Sequence, residues 1–189
     1  MILALDISTS VIGVAIIDNN HKLHELTWVK FNSKEKSLFK KLDYFIEFME
    51  KYKEINFTEI VIEKELLRFK GAFSNADTLN KLARMNALVS GYLYKKYNIE
   101  PIYYNVNEAR KLAFPSLSIP QSHPNKKNLI WEAVMKAEPT INWVYGKTGK
   151  LVEGTYDGCD AFVIGLAHIV STIRQKSSQK AKEQLRDKE

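Results

Sequence analysis

Three β-rich runs stand close together at the start of the chain, and the connections between them are too short for anything but reversals of direction. Ile2–Asp6 and Val11–Ile17 are separated by Ser8-Thr9-Ser10. Asp18-Asn19-Asn20 is turn chemistry, and a third run follows from Lys22 to Phe31. A parallel return would need a crossover of about a dozen residues or more, so these runs form an antiparallel meander. The period then changes. Between Ser37 and Tyr52, Leu38, Leu42, Phe45, Ile46 and Met49 recur at threes and fours, with Lys40, Lys41, Glu47 and Glu50 off that face, which predicts an amphipathic helix.

The remainder alternates between the two periods. Thr58–Glu63 reads as a buried strand closed by a carboxylate, and the glycine-containing link 70–74 leads to a long helix from about Ala76 to Tyr97. Leu82, Met85, Val89 and Leu93 form an apolar seam on that helix, with Leu79 and Tyr92 beside it. Pro101–Val106 is a fifth strand, and Asn107 is placed to cap a short helix over 108–114. Three prolines between Pro115 and Pro124 mark a loop, after which Asn125 can cap a helix from Lys126 to about Ala137. Residues 139–155 are irregular, with a hairpin tip at Tyr145-Gly146-Lys147-Thr148-Gly149, and a last helix starts near Asp157. Beyond Arg174 the chain is polar and lysine-rich. The expected architecture is α/β: a central five-stranded mixed sheet, antiparallel over its first three strands and flanked by helices. It forms one domain over 1–175 with a polar tail over 176–189.

Composition narrows the function classes. Hydrophobic residues at 45% and charged residues at 26% exclude a disordered or fibrous chain. No apolar run approaches the roughly 18 residues of a membrane span. Asp6 ends the apolar start and no basic residues precede it, so that segment reads as a strand and not a secretory leader. Cys159 is the sole cysteine, which rules out a disulfide framework and a cysteine-based zinc site. The expected setting is a reducing one, the cytoplasm. The 28 Lys and Arg against 22 Asp and Glu leave a formal charge of +6, which favours a polyanionic partner and nucleic acid first.

The acidic residues stand where strands end and where the last helix begins. Asp6 closes the first run and Glu63 the fourth, while Asp157 and Asp160 are three apart and share one helical face. If the first and fourth strands are neighbours, Asp6 and Glu63 emerge side by side at one sheet edge, and a helix packed there delivers the other two. Converging carboxylates repel one another and are seldom assembled for stability. They suit hard divalent cations such as Mg²⁺, two of which can support phosphodiester cleavage. Taken singly, each has a plainer reading: Asp157 as a helix cap, Glu63 as the ion-pair partner of a lysine. Glu65, two residues beyond Glu63, is a weaker contender.

Leu3-Ala4-Leu5-Asp6-Ile7-Ser8-Thr9-Ser10-Val11-Ile12-Gly13-Val14-Ala15 resembles the first motif of the RuvC-type Holliday junction resolvases. Val61-Ile62-Glu63 resembles their second acidic motif. Asn75-Ala76-Asp77, followed by Leu79, Lys81 and Leu82, resembles the start of their long dimerisation helix. Asp157-Gly158-Cys159-Asp160-Ala161, followed by Ile164-Gly165-Leu166-Ala167-His168, is similar to their closing D-x-x-D-A helix. The resemblance runs in order over nearly the whole chain. It implies an RNase H-like nuclease domain and a homodimer that nicks two opposed strands of a four-way DNA junction. Asp6, Glu63, Asp157 and Asp160 would then be the ligands of two Mg²⁺ ions, with Mn²⁺ able to substitute. Lys127 falls where the family places a basic residue near the scissile phosphate, and Lys126 is a rival for that role.

The chain also departs from the family pattern. Ser8 replaces the glycine usual shortly after the first aspartate, about five extra residues follow Glu63, and the 139–155 segment is long. These differences suggest a divergent member, phage-encoded or carried by another mobile element. Leu66, Leu67 or Phe69 would supply the family's apolar wedge at the junction centre.

Among other features, Lys64, Arg68, Lys70, Lys81 and Arg84 flank the acidic set, and Arg110, Lys111, Lys126 and Lys127 form a second basic group suited to phosphates. Tyr103, Tyr104, Phe114 and Trp131 read mainly as core, His168 is too far along its helix to be a metal ligand, His123 is a weak phosphate contact, and Cys159 is a packing residue. Gly146-Lys147-Thr148 is not a nucleotide-binding loop, because Ile141 stands where that motif needs glycine. No nucleotide cofactor and no membrane association are expected. The rival readings are an RNase H-fold nuclease of flaps, RNA or RNA–DNA hybrids; a sugar-kinase or actin-like ATPase, for which the chain is too short; and a non-catalytic DNA-binding relative, which the full set of carboxylates argues against.

Overall fold

Residues 1–64, 76–117 and 125–186 are described by a computed structural model. Strands β1 (Ile2–Ile7), β2 (Val11–Ile17) and β3 (Leu23–Lys30) pair as the antiparallel meander that their short connections require. Helix α1 (Leu38–Met49) carries the chain across one face of the sheet, and β4 (Glu59–Glu63) then enters beside β1 and parallel to it. After α2 (Ala76–Tyr97), β5 (Ile102–Tyr104) adds parallel to β4 at the edge. The sheet order is β3-β2-β1-β4-β5. Helices α3 (Val106–Ala113), α4 (Lys126–Ala137) and α5 (Thr155–Arg186) follow.

Strand alternation divides the core into two layers. Leu3 and Leu5 of β1 point to one face, where they join Phe45 and Met49 of α1 and Met85, Val89 and Leu93 of α2. Ile2 and Ala4 point to the other, against Ala109, Ile130, Val134, Phe162 and Ile164 from the last three helices. Both faces of β1, β2 and β4 are therefore covered, which explains their near-continuous apolar runs. On the second face the sheet presents small residues. A Cβ at Gly165 of α5 would stand 3.0 Å from the Ala4 Cβ and 2.5 Å from Ile17 Cδ1, so α5 rides very close to β1 and β2.

Several boundaries differ from the sequence reading. Asn105, not Asn107, caps α3, because β5 ends at Tyr104 and the Asn105 side chain turns back to accept the Asn107 N–H. The periodic run to Tyr52 is α1 followed by a single 3₁₀ turn at Glu50–Tyr52. The hairpin tip is present as an antiparallel bridge between Tyr145 and Leu151. The polar residues after Arg174 continue α5 to Arg186, exposed from Gln175 through Gln184. Among the described residues no helix is long and apolar enough to cross a membrane.

Candidate active site

Parallel pairing of β1 with β4 decides where the first two carboxylates meet. The register matches Leu5 with Ile62, so the next residue of each strand, Asp6 and Glu63, leaves the same sheet edge side by side. Their carboxylates stand close enough to act directly on each other's proton affinity. Burial, followed by the charges of Glu63, Asp160 and Asp157, pushes the Asp6 carboxyl well above the usual aspartate range. Burial is also the main cause of the rise in Glu63 to about 7, with Asp160 adding to it and Arg110 opposing it.

Helix α5 brings the other two, and the local sequence explains how. In the β1–β2 register Gly13 sits opposite Asp6. A Cβ on Gly13 would lie only 1.9 Å from the Asp157 carbonyl oxygen, so the first turn of α5 rests directly on this glycine, over Asp6. The next turn places Asp160 in the buried interior. Burial raises the proton affinity of Asp157, against the pull of Lys127, whose Nζ lies 3.9 Å from Asp157 Oδ1. The Tyr156 hydroxyl donates to Asn128, which ties the start of α4, and Lys127 with it, to the start of α5.

The four sequence-predicted carboxylates therefore converge, but not as a ready-made cage. Among the described residues no three acidic, histidine or cysteine side chains are grouped closely enough to hold a metal ion. Asp6 and Glu63 are engaged with each other, Asp157 faces Lys127, and Asp160 is claimed by Arg110, whose Nη2 donates to Asp160 Oδ1 at 3.0 Å. Arg110 belonged to a general basic group in the sequence. Its insertion into the acidic cluster follows from α3 packing along α5, a tertiary contact.

Other residues missed by pattern reading support the site from behind. Asn86 lies on the buried seam of α2, where its amide donates to the Glu63 carbonyl at 3.1 Å and its own oxygen accepts from Ser90 at 3.2 Å. Polar residues inside an apolar seam were the available signal. Lys41 is buried and donates to the Thr9 carbonyl, bracing the β1–β2 turn. Ser8 closes the same turn, its hydroxyl donating to the Val11 carbonyl and accepting the Val11 N–H.

His168 stands apart from the carboxylates, as its spacing implied. It is buried between Glu59 and the Tyr104 hydroxyl. Cys159 is buried with its thiol pushed up to about 12 by burial and the flanking aspartates, so it is no nucleophile at neutral pH. Phe114 and Trp131 pack into the second core layer, while Tyr103 is exposed. Glu65, Leu66, Leu67, Arg68, Phe69, Lys70, Asn75 and His123 lie outside the described residues.

No protein-family model and no curated protein matches the sequence. Solved structures do match the fold. The chain is similar to Thermus thermophilus RuvC, with a TM-score of 0.62, 10% identity and 92% of this chain aligned to 96% of that one. The same protein in complex with Holliday junction substrate gives 0.61 at 10% identity, over 92% and 94%. The yeast mitochondrial Holliday junction resolvase gives 0.65 at 10% identity, over 97% of this chain and 83% of that one. The fold is that of the RuvC-type resolvases. It is the RNase H-like architecture that the motif resemblance implied.

Proposed function

We propose that this chain is a metal-dependent endonuclease that resolves four-way DNA junctions by paired nicks in opposed strands. One observation carries the reading: carboxylates from two parallel strands and a distant helix meet at one sheet edge, where they raise one another's proton affinity. Such a cluster costs stability, and an all-oxygen donor set of this charge fits hard divalent cations. The fold supports the choice of substrate, because its solved neighbours are Holliday junction resolvases, one of them captured with junction substrate.

Asp6, Glu63, Asp157 and Asp160 would hold two Mg²⁺ ions, with Mn²⁺ able to replace them. When bound, such ions activate water and stabilise the leaving oxygen in phosphodiester hydrolysis. Lys127 stands beside Asp157 with a largely exposed side chain, so its ammonium can reach a phosphate entering from solvent. The Gly13 contact keeps the first turn of α5 pressed to the sheet and thereby orients Asp157 towards Asp6. A four-way junction has near two-fold symmetry, so symmetric nicking calls for a homodimer with its two sites related by a two-fold axis.

The test compares end-labelled four-way junction, linear duplex, flap and RNA–DNA hybrid, each with Mg²⁺ and with EDTA, beside an Asp157→Asn control. Paired symmetric nicks confined to the junction, and lost with EDTA or the variant, are expected. Preferential cutting of flap or hybrid would reject junction resolution and leave an RNase H-fold nuclease of another substrate. Tight junction binding without cleavage would reject the enzyme.

A further inference from the structure

Arg110 is a fixed positive charge inside a site whose chemistry calls for cations. Its guanidinium is always charged, so it cannot relieve crowding by losing a proton. The Arg110 side chain is 24% exposed and the Asp160 side chain 11%, and their atoms meet at 3.0 Å. The other cation at the site is held differently: Lys127 reaches Asp157 only at 3.9 Å and is 63% exposed, a loose pair open to water. The charge on Arg110 also acts on Glu63, so it serves two members of the cluster.

A second observation concerns the same side chain. Arg110 Nε is buried and has no hydrogen-bond partner. A buried N–H without an acceptor is costly, so this placement does not satisfy all the donors of the guanidinium. Among the described residues, its guanidinium donates to one oxygen of Asp160, while the N–H at its neck has no acceptor. That is the arrangement of a group that can leave.

We propose that Arg110 is a built-in counter-ion of the acidic cluster: its guanidinium holds Asp160 until a divalent cation binds, and then gives that carboxylate up to it. The inference rests on the reading of the cluster as a divalent-cation site. It accounts for carboxylates that converge without being grouped as a ready cage, since an oxygen of Asp160 is already committed. It also assigns Arg110 opposite effects on two measurable quantities. The residue stabilises the cluster without metal and competes with metal for it, so one substitution should move stability and affinity in opposite directions.

The test measures Mn²⁺ affinity by calorimetry and thermal unfolding in EDTA for the full chain and for Arg110→Gln and Arg110→Lys. Arg110→Gln should unfold at a lower temperature in EDTA yet bind Mn²⁺ about tenfold more tightly, the order expected on removing one nearby positive charge. Arg110→Lys keeps the charge and should stay within roughly threefold of the parent affinity. In the parent protein, the Arg110 Nε–H resonance should shift saturably with Mg²⁺, a readout that does not depend on any variant folding. Unchanged or weaker Mn²⁺ binding in folded Arg110→Gln, or an Arg110 resonance indifferent to saturating Mg²⁺, would overturn the counter-ion role while leaving the metal reading intact. A parent chain that binds no Mn²⁺ at all would overturn both.

Discussion

At the scale of single residues, the raised proton affinity of Asp6 and Glu63 makes the site sensitive to pH in a definite direction. Glu63 is held up to about 7 from an ordinary value of 4.5, so the folded chain binds this proton more tightly than the unfolded one does. Stability from this group is complete below about 4.5 and is lost as pH rises through about 7. Asp6 is raised as well and acts in the same sense. With EDTA present, the unfolding temperature should therefore fall between pH 5 and pH 8, and Glu63→Gln should flatten that fall; a curve that rises with pH would contradict the assignment. The same substitution removes charge from a self-repelling cluster. Glu63→Gln and Asp6→Asn should each gain about 1 kcal/mol in EDTA at pH 8, a shift of roughly 2–4 °C. Both should lower cleavage by about a thousandfold or more while sparing junction binding. Loss of binding and folding together would mean that these residues are structural.

At the scale of elements, the site depends on how closely α5 lies against the sheet. Gly13→Ala would push a methyl group into the Asp157 carbonyl, which is backbone and cannot swing aside. The helix must shift, at a cost of about 2–3 kcal/mol, or roughly 5–10 °C for a chain of this size. Cleavage should fall further than stability does, because the displaced turn carries Asp157; unchanged cleavage in Gly13→Ala would show that this contact does not set the site. Farther along, His168 bonds to Glu59 of β4 and to Tyr104 of β5, locking α5 to the two strands at the far side of the sheet. His168→Leu removes the bonds to Glu59 and Tyr104 and should cost about 1 kcal/mol, read from urea unfolding. Both contacts join residues more than sixty positions apart. The motif containing Gly13 was visible in the sequence, but its partner across the fold was not.

At the scale of the whole molecule, the +6 charge and the proposed two-fold substrate make joint predictions. Light scattering should give twice the 21.8 kDa chain mass for the free protein, and two chains plus one junction for the complex. Exposed Tyr94 and the half-buried Leu79 and Leu88 leave apolar surface on α2 beyond the buried seam. Junction affinity in Ca²⁺ should fall linearly with salt on a log–log plot, and Lys127→Ala should reduce the slope by about one. A salt-independent affinity would contradict phosphate contact by the basic residues.

Much was legible from local pattern because its physics is local. Short turns dictated the antiparallel meander, apolar periodicity located α1 and α2, and a spacing of three put Asp157 and Asp160 on one helical face. The carboxylates could be nominated because charges at strand ends are costly to gather without a use. Tertiary structure alone decided that β4 pairs with β1, and hence that Asp6 meets Glu63. It also decided that Asn86 braces the Glu63 backbone and that Arg110 holds Asp160. These depend on packing between segments far apart in the chain, where no periodicity records which neighbour a side chain will meet. Arg110 reads as one basic residue among many until α3 lies along α5, and only that packing makes it part of the site.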